Sequence, residues 1–215
     1  LARMSHELRT PLNAVLGFAQ LLRLEDGTVA QRHAHVDHIL AAGEHLLSLI
    51  NDVLDLSRLE SDHTALALES VALDDALAQA LALVDPLARS LSVRIEHSRG
   101  GERVLAQPTR LRQVLLNLLS NAVKYNRPGG RVQLSISVQA ATVTLHVRDT
   151  GRGLGAEQVS HLFEPFNRLG IEREGIEGTG IGLSIVKALL ERMGGSIEAR
   201  SEAGLRSDFR VRLAP

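Results

Sequence analysis

Leu1, Met4, Leu8, Leu12, Val15 and Leu22 recur at helical spacing, so the chain opens as an amphipathic helix reaching about Arg23. Pro11 lies inside it and predicts a bend. Glu25–Thr28 reads as a loop. A second helix follows, roughly Val29 to Glu60, with heptad-like apolar positions at Val36, Ile39, Leu40, Leu46, Leu47, Ile50, Val53 and Leu54. Two long helices with stripes this broad cannot bury them within one hairpin. Pairing with a second copy, as a four-helix bundle, is the least costly solution; packing against the following domain is the alternative. Ser61–Thr64 ends the second helix and reads as a linker.

The pattern then changes. Leu66–Val71 reads as a strand, Asp74–Arg89 as a helix and Ser92–Glu96 as a strand. Pro108–Tyr125 is a strong helix, with Leu111, Val114, Leu115, Leu118, Leu119 and Ala122 on one face. After the turn Arg127–Gly130, two stretches alternate with period two: Val132/Leu134/Ile136/Val138 and Val143/Leu145/Val147. A helix over Leu183–Met193 and strands over Ser196–Ser201 and Phe209–Leu213 close the chain. Strands joined by tight turns and interleaved with helices predict an antiparallel or mixed sheet covered by helices, an α+β arrangement. Glu157–Glu177 lacks periodicity, and its length inside a compact domain predicts a lid, mobile from about Phe166 to Gly178, with a permanently disordered loop as the alternative.

Composition narrows the functional classes. Hydrophobic residues make up 44% and aromatics only 2%, so aliphatic side chains must fill the cores. A net charge of −1 gives no electrostatic case for nucleic acid or a membrane surface. The absence of cysteine excludes disulfides and thiolate chemistry. No apolar run approaches the ~18 residues of a membrane span, and no signal peptide is visible. The opening in mid-helix suggests a segment of a longer protein.

Candidate chemistry falls off the apolar faces. His6 lies opposite the first stripe, beside Glu7; a neutral imidazole is a nucleophile, and a carboxylate can hold its other N–H. A surface histidine accounts for His6 taken alone. His33, His35, His38 and His45 on the second helix lack metal-ligand spacing and read as a solvated face. Asn117, Asn121 and Lys124 share one helix face opposite the leucines; amide oxygens suit Mg²⁺ and the lysine suits phosphate. Tyr125 follows, placed to flank a purine. Asp149 ends a strand before Gly151 and Gly153, where it can accept from an exocyclic amine. Gly178-Thr179-Gly180-Ile181-Gly182-Leu183 leads into a helix, an arrangement suited to phosphates. It is neither a Walker loop nor a dinucleotide fingerprint.

Taken together and in order, these motifs resemble the boxes of sensor histidine kinases. His6-Glu7-Leu8-Arg9-Thr10-Pro11-Leu12 resembles the phosphoacceptor box and Asn117–Lys124 the asparagine box. Asp149-x-Gly151-x-Gly153 resembles the first glycine box, Phe163–Phe166 the phenylalanine box and Gly178–Gly182 the second glycine box. The resemblance implies a helical hairpin over residues 1–62 that dimerises and carries the phosphoacceptor. It implies an α+β two-layer sandwich over residues 63–215 that binds ATP, as in gyrase and Hsp90-type ATPases. By the same resemblance His6 takes the phosphoryl group, Glu7 activates it, and Thr10 orients water with Glu7 in phosphatase chemistry. Asn121 ligates Mg²⁺ with Asn117 in support, Lys124 and Arg168 hold phosphates, Asp149 binds the adenine amine, and Tyr125 packs on the ring. The implied partners are a second copy and a response-regulator receiver domain, with no nucleic acid and no membrane contact in this segment; the implied location is the cytoplasm. A nucleotide-binding scaffold without kinase activity and a gyrase-like ATPase clamp are the competing readings.

Overall fold

The computed structural model describes residues 2–24, 27–61, 66–98, 100–167 and 178–215. Two long helices lead: α1 (Ala2–Leu24) and α2 (Val29–Ser61), packed on each other as a hairpin. Thr28 caps α2 reciprocally: its hydroxyl accepts from the Gln31 N–H at 3.3 Å, while the Gln31 side chain accepts from the Thr28 N–H at 2.8 Å. Ile39, Leu46 and Val53 are half-buried, whereas Val36, Leu40, Leu47, Ile50 and Leu54 on the same helix stay exposed. Leu12 and Leu16 of α1 are exposed as well. The hairpin therefore satisfies only part of its apolar surface. Leu49 and Leu59 differ: both are buried in the core cluster, and α2 also touches the domain that follows.

That domain is a two-layer sandwich. Its strands are β1 (Glu69–Ala72), β2 (Arg94–His97), β3 (Arg103–Ala106), β4 (Arg131–Gln139), β5 (Thr142–Asp149), β6 (Ser196–Glu202) and β7 (Arg206–Leu213). Its helices are α3 (Leu73–Ser90), α4 (Pro108–Lys124), the short α5 (Ala156–Ser160) and α6 (Gly182–Arg192). Five strands form a mixed sheet in the order β2-β4-β5-β7-β6, with only the β2–β4 pair parallel. β1 and β3 pair apart from it. α4 is central in the helical layer, touching α3 on one flank and α6 on the other.

Register makes the core. Leu134, Val147, Phe209 and Ala199 are cross-strand neighbours on the inner face, and Ile136, Leu145, Val211 and Ile197 form the next row. The row beyond Leu134 reads Val132, Asp149, Ser207, Ser201. At that end of the sheet the inner face turns polar while still under the helices.

The expectation of an irregular Glu157–Glu177 needs correction at its start, where α5 and a turn through Phe166 are ordered. Residues 168–177, with Arg168 and most of the expected lid, lie outside the described residues, as do Leu1, Glu25, Asp26 and the linker positions 62–64. The strand β3 escaped the sequence reading; it is four residues long, and its Leu105 N–H donates to the Ala214 carbonyl at 2.9 Å, a partner from the far end of the chain.

Candidate nucleotide site

A cavity of about 360 Å³ opens over the polar end of the sheet, between α4 and the N-terminus of α6. α4 forms because Gln107 caps it, accepting from the Arg110 N–H at 3.2 Å, with Pro108 at the first helical position. Its leucine face is buried, which turns Asn117, Asn121 and Lys124 toward the cavity they all line. The Asn117 amide donates to the Gly182 carbonyl at 3.5 Å, tying α4 to the start of α6.

Asp149 lies on the cavity floor with 6% of its surface exposed. Its period-two position puts it inside, where its carboxylate accepts from the Gly151 N–H at 2.9 Å. Burial pushes the carboxyl up to about 6, against the lowering effect of hydrogen bonds from Gly151 and Ser207. The two glycines have steric reasons to be there. A Cβ on Gly151 would strike the Tyr125 carbonyl oxygen, and Gly153, at φ +60°, would run into the Glu202 carbonyl. Tyr125 stands across from this loop, and the Arg152 guanidinium lies 5.1 Å from its ring centroid.

Gly178, Thr179, Gly180, Gly182 and Leu183 line the opposite wall, with Ile181 fully buried behind them. Gly180 has φ +68°, and its carbonyl accepts from the Phe166 N–H at 2.9 Å. Phe166 itself adopts φ +60°, a conformation costing a bulky residue about 1–2 kcal/mol. Phe163 and Phe166 pack against the core, so the end of the phenylalanine segment is fastened to the glycine loop.

The wall facing the sheet domain comes from α2: Ala41, Glu44, His45, Ser48 and Asp52. The Thr179 hydroxyl donates to the Asp52 carboxylate at 2.6 Å. Burial raises the Asp52 carboxyl above the usual carboxylate range, opposed by the Thr179 bond, with the like charge of Asp55 adding to the rise. His6 is elsewhere. It is not among the cavity-lining residues, and its side chain is 77% exposed. Its Nδ1 lies 3.9 Å from a Glu7 carboxylate oxygen, and the Thr10 hydroxyl donates to the His6 carbonyl at 3.3 Å. The structure thus brings the nucleotide candidates together and leaves the His6, Glu7 and Thr10 group outside.

Comparison with known proteins settles the class. Residues 106–215 match the family described as Histidine kinase-, DNA gyrase B-, and HSP90-like ATPase, and residues 1–62 match the His Kinase A (phospho-acceptor) domain. The chain belongs to the histidine kinases. It joins the family's phospho-acceptor domain to its ATPase domain. It is 39% identical over 206 residues to the cell-division control histidine kinase PdhS of Brucella anthropi, covering 89% of this chain and 20% of PdhS. The kinase core thus spans about a fifth of that relative's length. Full-length ShkA, solved in complex with AMPPNP, is 35% identical with a TM-score of 0.72, over 99% of this chain and 44% of that one. Histidine kinase ThkA, solved in complex with the response regulator protein TrrA, shares the fold with a TM-score of 0.78 at 22% identity, over 99% of this chain and 60% of that one.

Two features of the kinase core were missed by the sequence reading. Arg152, between Gly151 and Gly153, lines the cavity and lies over the Tyr125 ring, a role that the Asp-x-Gly-x-Gly pattern does not mark. Of the four α2 histidines, His33 and His38 are exposed, as a solvated face requires, although His38 also stacks on Phe18 with ring centroids 4.5 Å apart; His35 is half-buried 5.7 Å from the same ring, and His45 lines the cavity. Among the described residues no cluster of three His, Cys, Asp or Glu could hold a metal, and no helix is long and apolar enough to cross a membrane.

Proposed function

We propose that this core autophosphorylates His6 from ATP and passes the phosphoryl group to an aspartate of a receiver domain. The observation that carries the reading is the convergence of Asp149, Asn117, Asn121, Lys124 and the Gly178–Gly182 loop on one cavity, with an exposed imidazole beside a carboxylate on a separate helix. Asp149 takes the adenine amine at the floor, Tyr125 flanks the ring, and the glycine loop with Lys124 takes the phosphates. The donor set fits Mg²⁺: one or two protein oxygens completed by phosphate oxygens is its usual coordination, and Asn121 with Asn117 behind it offers amide oxygens at the right wall. When bound, Mg²⁺ neutralises phosphate charge during transfer.

His6 acts through a neutral imidazole. One ring nitrogen attacks the γ-phosphorus while Glu7 holds the proton on the other; an N–P bond forms, the bond to the bridging oxygen of ADP breaks, and ADP leaves. Thr10, one helical turn on, is assigned with Glu7 to orienting water in phosphatase chemistry. Arg168 is assigned to the phosphates.

The test is incubation with γ-labelled ATP and Mg²⁺. Acid-labile, base-stable label is expected on the parent chain, and Asn121→Asp or Asn121→Ala should cut it at least a hundredfold. Both variants should melt within about 1 kcal/mol of the parent, because the side chain sits on a cavity wall rather than in the core. Label on the variants at the parent's level would make Asn121 no more than a surface amide, and release of free phosphate with no protein label would favour an ATPase clamp.

The assigned assembly is a homodimer through α1 and α2. Leu47 and Ile50 are 60% and 42% exposed in the single chain, and burying each such side chain is worth about 1.5–3 kcal/mol. Ile50→Glu should convert the dimer to a monomer, since an unpaired buried charge costs about 3–5 kcal/mol. Light scattering that finds the parent monomeric at micromolar concentration would refute the assignment.

A further inference from the structure

The arrangement described above leaves a carboxylate where the kinase reading puts phosphates. Asp52 projects from α2 into the wall of the cavity, and its Oδ2 accepts from the Thr179 hydroxyl at 2.6 Å. Lys124 and His45 are close enough to stabilise its charge, while Asp55, one turn along α2, opposes it. Glu44 adds a second carboxylate to the same wall. A second bridge reinforces the first: the Gln113 amide of α4 donates to Asp55 Oδ2 at 2.8 Å, and Gln113 is itself held by Arg110 at 3.0 Å. Leu49, fully buried, belongs to the same stretch of α2. Asp52 and Asp55, three residues apart, share one helix face. The helix is thereby fastened at two points to the ATPase domain, once at α4 and once at the second glycine loop.

We propose that Asp52 is an intramolecular competitor for the triphosphate, holding α2 against the nucleotide loop until ATP displaces it. This rests on the ATP-dependent kinase reading. Thr179 and Lys124 cannot serve a carboxylate and a phosphate at once, and two anions in one partly desolvated cavity repel. A triphosphate binds only the released state, so its apparent affinity is reduced by the fraction of molecules that are latched. The latched state is also silent in transfer, because His6 lies outside the cavity while α2 forms its wall. Binding of ATP and release of the phosphoacceptor hairpin become one event.

The experiment measures calorimetric binding of AMPPNP with Mg²⁺, and of adenosine, to the whole chain. Asp52→Asn keeps the side-chain shape and removes the charge; it should tighten AMPPNP at least fivefold and leave adenosine, which carries no phosphate, within twofold. Gln113→Leu breaks only the second bridge and should tighten AMPPNP two- to threefold, which keeps the proposal testable if Asp52→Asn does not fold. Unchanged or weaker AMPPNP binding in the folded variants overturns the latch. An equal gain for adenosine overturns the competition with phosphate. If neither the parent nor the folded variants bind AMPPNP, the kinase reading falls along with the latch, whereas a parent that binds it while neither variant gains overturns the latch alone.

Discussion

His6→Gln is expected to remove all detectable autophosphorylation while changing the Kd for AMPPNP less than twofold. Glutamine keeps the side chain polar and near the same length but has no nucleophilic ring nitrogen, so no N–P bond can form. The affinity should hold because the imidazole is 77% exposed and lines no part of the nucleotide cavity. Stability should hold too, since surface substitutions usually stay within about 0.5 kcal/mol. Labelled ATP with peptide mapping, alongside calorimetry, checks both halves. Label persisting on the variant would refute the assignment. His45 would then be the first residue to examine, because it is a histidine that does line the cavity.

The residues of the candidate nucleotide site could be grouped from the sequence because local periodicity sets which way they face. The run Val143, Leu145, Val147, Asp149 alternates with period two, so whichever residue came fourth had to face inward. The sequence marks Asp149 as an acceptor at a strand end; that it is buried is what the structure adds. Asn117, Asn121 and Lys124 follow from the leucine face of α4 in the same way, since burying one side of a helix fixes what the other presents. What escaped depends on contacts between distant segments. β3 pairs with β1 and with the chain terminus, and four residues carry too little pattern to reveal that. The α2 wall escaped for a related reason. The heptad positions describe the faces α2 turns to α1 and to a second copy; they leave His45 on a solvated face and give Asp52 no role. A third face, turned to the ATPase domain, has no signature of its own until the domain is docked against it. Arg168 and most of the expected lid fall outside the described residues.

Asp149→Asn is expected to abolish ATP binding and, in the nucleotide-free protein, to raise stability at neutral pH. Burial holds the Asp149 carboxyl at about 6, above an unfolded value of about 3.9. A carboxyl whose folded pKa is raised keeps its proton longer in the native state than in the unfolded chain. Between about pH 4 and 6 the unfolded chain therefore binds fewer protons, and stability falls as pH rises through that window. Above it the full penalty is present, about 3 kcal/mol for a shift near two units. Asparagine retains one oxygen to accept from the Gly151 N–H, gives up part of the bonding from Ser207, and carries no charge to desolvate. The variant should be more stable than the parent by about 1–3 kcal/mol at pH 7.5, with roughly half that gap at pH 5. Denaturant melts at the two pH values, without nucleotide, measure it. A variant less stable than the parent at pH 7.5, or a gap that widens on acidification, would mean the carboxylate is held ionised by the hydrogen bonds from Gly151 and Ser207 rather than strained by burial. The functional half has the opposite sign. The adenine amine needs an ionised acceptor, and an amide in its place can turn its own N–H toward that amine, so AMPPNP binding should fall at least a hundredfold. In the parent, the same chemistry makes AMPPNP affinity drop as pH falls below about 6, where Asp149 takes up its proton. A variant that binds AMPPNP like the parent would remove Asp149 from the base-binding floor.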